Sequence, residues 1–95
     1  MAFSLPLPGP WTSQGWKAKI RDKERTEPPH VTILRGTRAW RFSLRSSEFL
    51  DGIPDPKHVP QDLVDVVRQA LPELISEWDK MYPENPVSST GGDDD

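Results

Sequence analysis

Between Glu27 and Arg45 the chain reads Glu-Pro-Pro-His-Val-Thr-Ile-Leu-Arg-Gly-Thr-Arg-Ala-Trp-Arg-Phe-Ser-Leu-Arg, two alternating runs that meet at Gly36-Thr37. A two-residue loop with glycine first suits a type II′ turn, which needs positive φ at that position and matches the twist of the flanking strands. The turn sets the register: Arg35 faces Arg38, Ile33 faces Trp40, Val31 faces Phe42 and Pro29 faces Leu44. Strand side chains alternate, so these residues share one mostly apolar face. His30, Thr32, Leu34, Ala39, Arg41, Ser43 and Arg45 fall on the other face, which is polar and basic.

The segments around this hairpin follow from the same reasoning. Trp16 to Arg21 alternates apolar and basic residues, with Trp16, Ala18 and Ile20 on one side and Lys17, Lys19 and Arg21 on the other. That is the pattern of a half-buried strand. Asp22 to Glu27 reads as a charged turn, and Pro28-Pro29 holds the chain extended before His30. Glu48-Phe49-Leu50 reads as a short fourth strand closed by Asp51-Gly52. The prolines from Ile53 to Val59 mark a loop.

Pro60 suits the first position of a helix, where a missing donor costs nothing. Leu63, Val66, Val67, Ala70, Leu71, Leu74, Ile75, Trp78 and Met81 recur at three- and four-residue steps and form one stripe. Pro72 cannot donate to the carbonyl of Arg68, so a kink or a break is expected near Leu71. The expected fold is α+β: a three- or four-stranded antiparallel sheet covered on one face by a kinked C-terminal helix. Such a helix solves the problem that a lone hairpin is not stable in water.

The chain of 95 residues is one domain at most. Residues 1–15 read as a Pro-rich arm, either docked through Phe3 and Trp11 or disordered, and residues 83–95 as a disordered acidic tail. The domain between them, residues 16–82, is small for a core without staples. No cysteine is present, which excludes disulfides, thiolate nucleophiles and zinc ribbons and fits a cytoplasmic location. No apolar run approaches the roughly 20 residues needed to span a bilayer. Met1 to Pro8 lacks a basic start, so it does not read as a signal peptide.

The formal charge of −3 hides a division. From Trp16 to Arg45 there are nine positive and three negative residues, a net +6, and from Ser46 onward three positive and twelve negative, a net −9. Lys17, Lys19, Arg21, His30, Arg41, Ser43 and Arg45 form the candidate nucleic-acid or anion-binding set. Cations gathered on one surface attract phosphates through a salt-dependent gain. An acidic protein would suit the same surface, and the plain alternative is a solvated sheet face charged against aggregation. The face has no exposed aromatic residue for stacking bases, which argues against a single-strand reader of the RRM or OB type.

A second function is catalytic. His30 as the acid–base group, with Arg41 to stabilise phosphate charge, would make a small toxin-like ribonuclease. The plain alternative is that His30 packs beside proline and bonds to its own strand's neighbourhood. His30 and His58 have no ligand spacing, and no Gly-rich phosphate loop is present, so no metal or other cofactor is expected. Oligomeric state is not legible. The tryptophans read as core, and Trp78 with Tyr82 would otherwise make an exposed patch for a protein partner.

Pro28-Pro29-His30, Gly36, Leu50-Asp51-Gly52 and Glu73-Leu74-Ile75-Ser76-Glu77-Trp78 occur here in the order seen in a bacterial family of small proteins, domain of unknown function 4160. The chain resembles that family from about Lys17 to Pro86. The resemblance implies a bacterial origin and a strand, hairpin and terminal helix in this sequence order, and it brings no established activity. Family members often carry a second histidine two residues after the first, where this chain has Thr32.

Overall fold

The computed structural model describes residues 3–21 and 27–87. The charged turn expected at Asp22–Glu27 lies outside the described residues apart from Glu27, as does the acidic tail beyond Val87. The elements are β1 (Phe3–Ser4), α1 (Gly9–Ser13), β2 (Trp16–Ile20), β3 (His30–Arg35), β4 (Arg38–Ser43), a 3-10 turn (Pro56–His58), α2 (Gln61–Gln69) and α3 (Leu71–Met81). The strands form one antiparallel sheet in the order β1-β2-β3-β4, and the fold is α+β.

The hairpin has the expected register, with Arg35 opposite Arg38, Ile33 opposite Trp40 and Val31 opposite Phe42. Leu44 N–H donates to Pro29 O at 2.9 Å and extends the pairing. Gly36 sits at φ 60°, the left-handed region that glycine enters without penalty. Trp16 pairs with Arg35 and Ala18 with Ile33, so the apolar residues of β2 and β3 share a face.

The fourth strand is not where the sequence places it. Glu48–Leu50 makes only an isolated bridge, Phe42 with Phe49, on the outer side of β4. The fourth strand is β1, from the arm: Phe3 pairs with Ile20, and Leu5 N–H donates to Ala18 O at 2.8 Å. The arm is therefore ordered over its described part. It leaves β2 at Pro6, makes α1, and turns back at Gly15, whose φ is 89°.

The helical region divides as Pro72 requires. α2 ends at Gln69, Ala70 is the junction, and Pro72 stands in the first turn of α3, where no partner for a proline nitrogen is needed. Pro60 is the residue before the helix and not its first. The stripe differs at one place: Val64 is buried, whereas Val66 is only half-buried.

Ile20, Val31, Ile33, Trp40 and Phe42 join Leu63, Val67, Leu74 and Trp78 in a single buried cluster. Each large apolar side chain taken fully out of water contributes about 1.5–3 kcal/mol, which lets so small a domain stand without staples. The cluster extends past α3. Residues 83–87 are not a disordered tail: Trp78 Nε1–H donates to Asn85 O at 2.7 Å, and Val87 is buried. Trp78 and Tyr82 are core, and the Tyr82 hydroxyl donates to the Arg21 carbonyl, so they make no exposed patch.

Candidate functional site

The face read as polar and solvated is closed at one end. His30, Thr32 and Ser43 are all buried. His30 is 0% exposed. Its Nδ1–H donates to Pro28 O at 2.9 Å, its Nε2 lies 3.8 Å from Glu27 Oε1, and its ring centroid is 5.7 Å from that of Trp78. A carbonyl only accepts, so this bond fixes the proton on Nδ1 in the neutral ring. The Pro-Pro sequence places the Pro28 carbonyl for this contact by holding the chain extended. Ser43 Oγ accepts from the N–H groups of Arg45 and Ser46, both at 3.1 Å, and so organises the turn after β4.

Arg41 and Arg45 are also engaged within the chain. Arg41 donates to both carboxylate oxygens of Asp51, from Nε at 2.8 Å and from Nη2 at 2.7 Å, and its Nη1 donates to Glu27 Oε1 at 3.1 Å. These bonds, with Asp51 the strongest, raise the guanidinium pKa further above its ordinary value. In return Asp51 is held below its ordinary value of 3.8, chiefly by the hydrogen bonds from Arg41. Arg45 reaches residues 85–87, donating to Pro86 O at 2.9 Å and to Val87 O at 3.1 Å.

The structure brings His30 and Arg41 to the same neighbourhood, linked through Glu27. The imidazole has no solvent-exposed surface, and two carboxylates surround the guanidinium that a phosphate would need. Neither Glu27 nor Asp51 belongs to the expected site. Asp51 follows Arg41 by ten residues through an irregular turn, a spacing that carries no periodic signal. Among the described residues no group of three or more His, Asp or Glu side chains is placed to hold a metal ion.

The other cations lie toward the hairpin tip and along β2. Lys17 is exposed and Lys19 half-buried, and neither has an ion pair among the described residues. Arg21 is exposed, at the end of β2 away from the tip. Arg35 and Arg38 are directly opposed at the turn, an arrangement that is unfavourable for like charges. Arg35 relieves it by lying over the Trp16 ring, 5.2 Å from its centroid, and by donating from Nε to Gln14 O at 3.1 Å. Arg38 extends into solvent. Sequence reasoning put Arg35 and Arg38 in register but left them out of the binding set, because they fall on the apolar side of the strand alternation. At a hairpin tip that side is no longer covered.

No described helix is long and apolar enough to cross a membrane. Compared with protein-family models, with curated proteins and with solved structures, the chain has no match.

Proposed function

We propose that this chain is a non-enzymatic binding module that takes the phosphate backbone of a nucleic acid at the hairpin-tip end of its sheet. Lys17, Lys19, Arg35 and Arg38 are the contact residues. The observation that carries the reading is the division among the sheet's cations. Arg41 is neutralised by Glu27 and Asp51, whereas Lys17, Lys19 and Arg38 have no carboxylate partner among the described residues. Unpaired cations at one end of a sheet release counterions when phosphates replace solvent, and this term is independent of sequence. The resemblance to the domain of unknown function 4160 family supports the expected order of elements and supplies no competing activity. A cytoplasmic location belongs to the same proposal and is supported by the cysteine-free sequence.

The test is fluorescence anisotropy of labelled mixed-sequence RNA and duplex DNA over a salt series. Binding is expected to weaken steeply with salt and to be lost in the triple variant Lys17→Glu, Lys19→Glu, Arg38→Glu. Arg41→Ala should bind as the parent does at temperatures where it is folded. Absence of binding at low salt would overturn the reading and turn attention to an acidic protein as the partner.

A further inference from the structure

Val87 is pinned at the end of the sheet opposite the hairpin tip. Arg45 donates from Nε to its carbonyl at 3.1 Å, and two residues earlier Asn85 Nδ2–H donates to Glu27 O at 2.7 Å. Glu27 also holds Arg41, so the chain leaves Val87 beside the part of the sheet whose cation is already neutralised. The sequence that follows is Ser-Ser-Thr-Gly-Gly-Asp-Asp-Asp, five uncharged residues and then three carboxylates.

The two parts of that segment match two zones of the sheet. An extended chain advances about 3.3 Å per residue, so the uncharged spacer covers about 16 Å, and Asp93 to Asp95 reach about 20–26 Å from Val87. Measured from Ser43, the last residue of β4, Arg41 lies about 7 Å and Arg38 about 17 Å along the strand. This leaves about 3–9 Å for the step from Val87 onto the sheet. Lys19 is level with Arg41 and Lys17 with Ala39, each two strands across through Thr32 and Leu34. The spacer is therefore long enough to pass the neutralised zone around Arg41. The aspartates come level with Lys17, Lys19 and Arg38, which have no carboxylate partner among the described residues.

We infer that Asp93, Asp94 and Asp95 dock on the basic end of the sheet, across Lys17, Lys19 and Arg38, as a built-in competitor of nucleic-acid phosphate. The inference rests on the phosphate reading of that end and adds its regulation. Three carboxylates in a row offer these cations the negative charge that a phosphate backbone would bring. Attachment to the same chain supplies them at an effective concentration on the order of millimolar. The tail thus raises the affinity that a nucleic acid must have in order to bind.

The test has two readouts on the full-length protein. The chain has no cysteine, so a nitroxide on Gly92→Cys is the only label. At low salt it should broaden the Lys17, Lys19 and Arg38 amide signals, and the broadening should vanish at high salt or when Asp93, Asp94 and Asp95 all become Asn. The same Asn triple variant, without the label, should bind labelled RNA about three- to tenfold more tightly than the parent at low salt. A control makes an equal charge change on the helices, with Asp62→Asn, Asp65→Asn and Glu73→Gln, and should tighten binding far less. RNA binding by the parent with no broadening, or equal tightening in the two triple variants, would overturn the inference and leave the phosphate reading standing. Broadening with no RNA binding, even in the Asn triple variant, would overturn the phosphate reading and the competition together.

Discussion

Arg41 and Asp51 meet side by side, two nitrogens of the guanidinium on two oxygens of the carboxylate at 2.8 and 2.7 Å. Both side chains are about one-third exposed, so solvent screens the pair, and its two-pronged geometry still holds the turn after β4 against the sheet. Asp51→Asn is expected to cost about 1 kcal/mol near neutral pH. The folded-state pKa of Asp51 lies below its ordinary value of 3.8, so the stabilisation is complete above that value. It is lost as the pH falls through the lower, folded-state value. Urea melts of parent and variant should therefore differ near neutrality and converge in strong acid.

His30 is buried beside Trp78, and the proposed reading gives it a packing role. His30→Ala should lower stability by about 2–4 kcal/mol in denaturant melts, because it empties a fully enclosed site beside Trp78. The parent protein should leave labelled RNA uncut at any pH where it is folded. Cleavage that vanishes in His30→Gln with stability retained would restore the ribonuclease reading.

A clasp holds the end of the described chain. Asn85 accepts from Trp78 Nε1–H through its carbonyl, and its Nδ2–H donates to Glu27 O at 2.7 Å. Asn85→Ala removes the second bond and leaves a partly buried carbonyl unpaired, at a cost of about 1–2 kcal/mol. Thermal melts of this variant should show a lower midpoint with the transition still cooperative.

Gly36 gives a separate check on the turn. At φ 60° an alanine is strained even though the space around its Cβ is open, so Gly36→Ala should destabilise by about 1 kcal/mol. Gly36→Asn should recover most of the loss, because asparagine tolerates the left-handed region.

At the hairpin tip the expected change is in slope. If Arg38 contacts one phosphate, Arg38→Ala should reduce the salt dependence of RNA affinity by about one. Stability should be unchanged in parallel melts, since Arg38 extends into solvent.

The hairpin was legible because two signals agree at Gly36: alternation fixes which side chains share a face, and the turn fixes the pairing. The division between α2 and α3 was legible because Pro72 forbids one particular bond. β1 was hidden because two residues, Phe3 and Ser4, have no period to read, and prolines on their C-terminal side suggest a loose arm. The interior of the polar face was hidden for another reason. His30 is enclosed by contacts with Glu27 and Trp78, and the latter lies far along the chain, so no local pattern reports it. The candidate cations were all visible in the sequence. Which of them were already occupied was not, since the partners of Arg41 and Arg45 come from irregular segments.

β1 and Glu48–Leu50 have a further consequence when taken together. One lies along the outer margin of β2 and the other along that of β4, where Ser43 N–H donates to Glu48 O and Leu50 N–H to Arg41 O, both at 2.8 Å. Each is too short to count as much of a strand, but each takes up backbone groups that would otherwise offer a template to a neighbouring molecule. These two guards make sheet-to-sheet polymerisation harder, and trimming the first five residues would open one margin to it.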